Sequence, residues 1–184
     1  AMITRKLGPA LAVGCTVVVK PSELTPLSAL ALGRLCEEAE IPPGVVNFVT
    51  GDPESISDAM FAHLAVRKVS FTGSTEVGTT LIERSAKRVI NLSLELGGHA
   101  PLVVFDDADL ERAVDHAMKA KFRNGGQTCI SPNRFYVQSG VYEEFRDLFV
   151  ERVRGLCVGR GSEEGVMVGP MINDAAMDKI EHHV

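Results

Sequence analysis

Short runs of β-branched and aliphatic residues alternate with helical patterns along the first half of this chain, and that rhythm most restricts its fold. Cys15 to Lys20 (Cys-Thr-Val-Val-Val-Lys) has the composition of a buried strand. Thr25-Pro26 supplies an N-cap and first-turn signal for a helix reaching about Glu40, and Pro42-Pro43-Gly44 stops it. Val45 to Val49 reads as a second strand, Gly51-Asp52-Pro53 as a turn, and Glu54 to His63 as a short helix. Lys68 to Thr72 is a third strand, Gly73-Ser74 opens a helix to about Lys87, and Val89 to Leu94 is a fourth strand ending on Glu95. The order βαβαβαβ predicts a parallel sheet with helices on both faces. Such sheets take ligands beyond the carboxyl ends of their strands, where Lys20–Glu23, Gly73 and Glu95 fall.

The rhythm restarts after Gly97-Gly98. Pro101 to Phe105 reads as a strand, and Ala108 to Ala120 as a helix capped by Asp106 or Asp107. A glycine-rich loop around Cys129 follows, then a strand from Arg134 to Gln138 and a helix from Tyr142 to Leu156. Gly159 to Pro170 is loop-like, and a last helix begins near Asn173. A domain boundary is therefore expected near Gly97-Gly98, dividing the chain into residues 1–97 and 98–184.

A length of 184 residues suits one domain or parts of two. The 45% hydrophobic and 23% charged content is that of a water-facing globular chain, and a net charge of −5 argues against a broad nucleic-acid surface. An anionic substrate would then have to be captured by local arginines. The apolar stretch Leu11 to Val19 is far too short to span a bilayer, and no signal peptide is visible. Cys15, Cys36, Cys129 and Cys157 lie far apart, with no metal-type Cys/His spacing, which reads as reduced thiols in a cytoplasmic-type compartment.

Two blocks 34 residues apart carry the chemistry: Glu95-Leu96-Gly97-Gly98 and Gly125-Gly126-Gln127-Thr128-Cys129. Cys129 sits among small and polar residues, as a nucleophile would, although a packing thiol fits the same local sequence. A carboxylate such as Glu95 at a strand end can be half-buried and serve as a base; it can equally be a cap or ion-pair partner. The glycines after it allow close ligand approach. Gly73-Ser74 begins a helix whose N-terminus suits phosphate, without the usual Gly-x-Gly-x-x-Gly pattern, and an ordinary capped helix reads the same way. Lys20 and Glu23 have the chemistry to bind ribose hydroxyls, or to lie in a solvated turn. A glutamate there would repel a 2′-phosphate and so favour NAD over NADP. Arg123, six residues before Cys129, and Arg5 can each clamp a carboxylate, although surface charges have the same appearance. His99 and His116 read as structural or solvated.

Taken together, Lys20-Pro-Ser-Glu23, Phe71-Thr-Gly-Ser-Thr-Glu-Val-Gly78, Leu94-Glu-Leu-Gly-Gly98 and Gly126-Gln-Thr-Cys129 closely resemble the aldehyde dehydrogenase superfamily. Phe122-Arg-Asn-Gly-Gly-Gln-Thr-Cys129 and Ala1-Met-Ile-Thr-Arg-Lys6 look most like its succinate-semialdehyde members. The resemblance implies an α/β fold: a parallel Rossmann-like sheet with flanking helices, part of an NAD(P)-binding domain, followed by the first part of a second α/β domain carrying the nucleophile. It implies that Cys129 attacks the aldehyde and Glu95 activates the hydrolytic water. Lys20 and Glu23 would hold the adenosine ribose, Gly73 and Ser74 the pyrophosphate region, with Leu96 also at the cofactor. Arg5 and Arg123 would bind the distal carboxylate of the substrate. Glutarate semialdehyde or an amino-aldehyde is the alternative substrate, and a non-catalytic nucleotide-binding or structural fragment the alternative role.

Family chains are well over twice this length, and their oxyanion asparagine falls upstream of Ala1. The resemblance therefore implies an internal fragment, inactive or nearly so by itself, of a parent that is a dimer or tetramer. Some relatives carry a second cysteine two residues after the nucleophile; here Ser131 stands there, so no disulfide switch within this loop is expected.

Overall fold

The computed structural model describes residues 2–183 and divides into two compact units, Ala1–Leu96 and Gly97–Val184. The first contains, in order, α1 (Met2–Ala12), β1 (Val17–Val19), α2 (Leu27–Glu38), β2 (Val46–Phe48), α3 (Pro53–Ala62), β3 (Lys68–Thr72), α4 (Thr75–Ala86) and β4 (Asn91–Glu95). The second contains β5 (Ala100–Val104), α5 (Leu110–Phe122), a 3-10 turn (Arg123–Gly126), β6 (Pro132–Val137), α6 (Tyr142–Arg154) and α7 (Asp174–His183).

Every strand pair is parallel, as alternation of strand and helix requires. Among the described residues the strands join two by two, β1 with β2, β3 with β4 and β5 with β6, rather than in the single sheet expected for the first half. Between β3 and β4 the register runs from Lys68 opposite Asn91 to Thr72 opposite Glu95. Phe61, Leu81 and Ile90 form the buried cluster on this pair, with Val69, Phe71, Leu92 and Leu94 packed against them.

Several boundaries depart from the sequence reading for local reasons. Helix α1 is an element that the sequence reading, which begins at Cys15, does not include. Pro9 lies inside the helix, where it offers no N–H to the Arg5 carbonyl. Helix α2 starts at Leu27 after Pro26, whose backbone is already helical, and no side-chain hydrogen bond caps it there. Strand β4 begins at Asn91 rather than Val89, since Val89 has φ 53° and leaves the extended region. Helix α5 is capped by Asp109, whose carboxylate accepts the Arg112 N–H at 3.2 Å, not by Asp106 or Asp107. Arg88 ends α3 from outside by donating to the carbonyls of Phe61, His63 and Leu64 at 2.9, 2.8 and 3.4 Å.

In the second unit, Val104, Val114, Ala117 and Phe145 are the buried centre, where α5 and α6 lie on β5 and β6. Phe145 stacks on Phe149 at 5.8 Å, Phe149 meets Phe135 at 5.2 Å, and Phe122 at the end of α5 stacks on Phe149 at 6.3 Å. Arg152 of α6 donates to Asp115 and Glu111 of α5 at 2.5 and 2.7 Å. This packing fixes the C-terminus of α5, from which the Cys129 turn departs. The stretch from Gly159 to Pro170 is loop-like as expected, with one parallel bridge, Val158 to Val168, beside it.

Candidate active site

In the first unit the sequence-predicted residues gather at the carboxyl ends of strands. Lys20 directly follows β1, and its Nζ lies 2.9 Å from Glu23 Oε2. The Glu23 carboxyl is held below the usual carboxylate range, first by a backbone N–H of its own residue and then by the hydrogen bond and charge of Lys20. The pair therefore presents a cation and a carboxylate together.

Gly73 follows β3 and donates its N–H to the Glu95 carbonyl at 3.1 Å, so the Gly73-Ser74 turn and Glu95 share one end of the β3–β4 pair. Ser74 caps α4, its Oγ accepting the Val77 N–H at 3.2 Å. The Thr75 and Glu76 N–H groups keep no acceptor among the described residues, as the first donors of a helix do. Lys6 Nζ donates to Thr72 Oγ1 at 2.6 Å beside this turn, a contact with no local sequence signal because 66 residues separate the partners. Leu96 lies over the first turns of α4: a methyl group at Gly78 would come 2.8 Å from Leu96 Cδ2. The Glu95 side chain is exposed rather than half-buried. Arg5 projects from α1, also exposed, with Met2 Sδ 3.9 Å from its guanidinium.

In the second unit the chain between α5 and β6 is built around left-handed backbone. Asn124, Gly125 and Gly126 have φ of 54°, 63° and 76°, three consecutive residues in a region that costs an ordinary side chain about 1 kcal/mol or more. They reverse the chain within a few residues of Phe122. Arg123 is exposed at the start of this reversal.

The turn that follows is held by Gln127 N–H to the Asn124 carbonyl, Thr128 N–H to Gly126 and Ser131 N–H to Thr128. Cys129 is exposed at its tip, and its own N–H has no acceptor among the described residues. Cys15 and Cys157 are exposed as well, so exposure alone does not distinguish Cys129. What does is the turn and its neighbour: a Cβ at Gly98 would lie 2.6 Å from the Cys129 carbonyl oxygen. Gly98, the last residue of the Glu95 block, is thus pressed against the backbone of the cysteine turn, an approach that no side chain permits. Ser131 is buried, its Oγ donating to the Lys121 carbonyl at 3.2 Å. Met171 closes over Gly125, where a Cβ would meet its Cε at 3.1 Å; no local pattern in the sequence signals that contact.

Parallel strand ends carrying a serine-capped helix in the first unit, and an exposed thiol on a glycine-rich turn after β5 and α5 in the second, define an α/β protein of two units. The model of the aldehyde dehydrogenase family matches residues 1–184, and the chain belongs to that family. It is 56% identical over its whole length to the mitochondrial succinate-semialdehyde dehydrogenase of Arabidopsis thaliana and covers 35% of that protein. It is 52% identical over its whole length to a glutarate-semialdehyde dehydrogenase of Pseudomonas putida, covering 38% of it. Among solved structures, an Escherichia coli NADP-dependent enzyme superposes with a TM-score of 0.97 at 52% identity, over all of this chain and 38% of the other. The chain thus spans little more than a third of the length of the curated relatives it matches.

Proposed function

We propose that this chain carries the nucleophile and the hydrolytic base of an NAD(P)-dependent dehydrogenase that oxidises succinate semialdehyde to succinate. The observation that carries the reading is the Cys129 turn, which exposes a thiol and leaves its N–H open while Gly98 of the Glu95 block rests on its carbonyl.

In this reading the Cys129 thiolate adds to the aldehyde carbon, and the carbonyl electron pair moves to oxygen, giving a thiohemiacetal anion. The Cys129 N–H donates to that oxygen. Bound NAD(P)+ supplies the two-electron oxidant. Collapse of the oxyanion as the carbon gives up its hydrogen leaves a thioester on Cys129. Glu95 then takes a proton from water as the water attacks the thioester, and the C–S bond breaks to release the acid and the thiolate.

The residues suit the cofactor. The Thr75 and Glu76 N–H groups at the start of α4 are open to a phosphate oxygen beside Gly73 and Ser74. Lys20 and Glu23 offer a donor and an acceptor to ribose hydroxyls, and Leu96 an apolar surface. The ionised Glu23 favours NAD over NADP, whereas the Escherichia coli relative is named as an NADP-dependent enzyme. Arg5 and Arg123 bind the distal carboxylate of the substrate. The relative named for glutarate semialdehyde supports a second substrate of the same kind, one methylene longer. Reduced thiols fit a cytoplasmic-type compartment; no described helix is long and apolar enough to cross a membrane.

The test is Arg123→Ala in the intact protein. Losing a charge-assisted clamp worth about 1.5–3 kcal/mol should raise KM for succinate semialdehyde roughly 10- to 100-fold. An uncharged aldehyde should change far less. Equal effects on both would remove Arg123 from substrate recognition.

A further inference from the structure

Strand β6 carries a bulge at the foot of the cysteine turn. Ala100 pairs with Pro132 and Pro101 with Arg134, which leaves Asn133 without a partner on β5. Bulges re-aim a side chain, and this one has a definite target on each side. Asn133 Nδ2 lies 2.9 Å from His99 Nδ1, and Asn133 Oδ1 lies 3.4 Å from Lys121 Nζ. The chemistry fixes both orientations. An ammonium only donates, so the carboxamide oxygen faces Lys121. The amide NH2 also only donates, so His99 Nδ1 accepts and the ring N–H is on Nε2.

Both ends of this bridge are tied to the turn. His99 follows Gly98, whose backbone meets the Cys129 carbonyl. Lys121 receives the Ser131 hydroxyl on its carbonyl, and a Cβ at Gly126 would lie 3.1 Å from that same oxygen. Residues 127–131 are therefore bracketed by Gly98-His99 on one side and Lys121 on the other, with Asn133 joining the two.

We propose that His99 is a positioning residue for the Cys129 turn, acting through Asn133 and Lys121. Removing its Nδ1 acceptor loosens the turn and slows attack on the aldehyde, and leaves substrate binding little changed. The inference rests on the reading of Cys129 as nucleophile.

The experiment compares the intact protein with its His99→Ala, His99→Gln and Asn133→Ala variants, by amide hydrogen exchange and by steady-state kinetics. A lost hydrogen bond should speed exchange of the Thr128 and Ser131 amides about fivefold or more, with α6 unchanged. The value of kcat should fall by roughly tenfold with KM within about twofold, the pattern of an interaction used in the transition state. His99→Gln keeps an acceptor oxygen and should recover most of both losses. Unchanged exchange and kcat in His99→Ala overturn the proposal, as does a His99→Gln variant as impaired as His99→Ala. Cys129→Ser separates the two readings: if it retains turnover the nucleophile assignment fails, while exchange at Thr128 and Ser131 still decides whether His99 holds the turn.

Discussion

The Gly73-Ser74 turn and the Gly125-to-Cys129 turn share a composition of glycine with small polar residues, and they are made differently. At Gly73 the glycine provides space: a Cβ there would lie 2.4 Å from the Phe71 ring. The helix behind it starts conventionally on a serine cap. At Gly125 and Gly126 the glycines provide dihedral angles, with φ of 63° and 76° following Asn124 at 54°. The first turn presents the unpaired donors that any helix start has. The second reverses the chain through left-handed backbone just before one exposed thiol, and it is packed by Gly98, Ser131 and Met171. A nucleotide phosphate can be met by ordinary helix geometry, whereas a nucleophile has to be aimed.

Substitutions can break this comparison, and the largest effect is expected where chemistry depends on it. In the proposed mechanism, Glu95→Gln removes the base and leaves the nucleophile. Turnover should fall by about 10²–10⁴-fold, with a burst of reduced cofactor preserved in stopped-flow absorbance. Loss of the burst together with turnover would assign Glu95 to an earlier step.

Gly126→Ala is expected to come next. It combines a positive φ with the approach to the Lys121 carbonyl, so a cost of about 1–3 kcal/mol should appear in denaturant unfolding. A neutral result would mean that the turn does not need glycine at this position.

Ser74→Ala should have the smallest effect. It removes an exposed cap worth about 1 kcal/mol and should disturb α4 and cofactor KM more than any step at Cys129. If it were as damaging to aldehyde attack as Gly126→Ala, the two turns would not be separate devices.

Elements whose signals are local were legible in the sequence. Strand β3 has the bounds read for it, Lys68 to Thr72, and Ser74 and Tyr142 open their helices where the sequence put them. Helix α1 lies before the first element read from the sequence, and it holds a proline in its interior, where propensity disfavours one. The cap of α5 is Asp109 rather than Asp106 or Asp107, because the Asp109 carboxylate is the one that accepts an N–H of the first turn. For the site, the residue types were legible and their supports were not. The left-handed run is implied by its glycines. The seating of Gly98 on Cys129, the closure by Met171 and the bulge that re-aims Asn133 depend on chain segments 30 or more residues apart, and no periodicity encodes them.

The most direct measurement is the mass of the peptide bearing Cys129 after the intact Glu95→Gln protein meets succinate semialdehyde and NAD(P)+. With the hydrolytic base removed, a succinyl thioester should accumulate on Cys129, and Cys15, Cys36 and Cys157 should remain free. An unmodified Cys129 alongside full formation of reduced cofactor, or an adduct carried by another cysteine, would contradict the account.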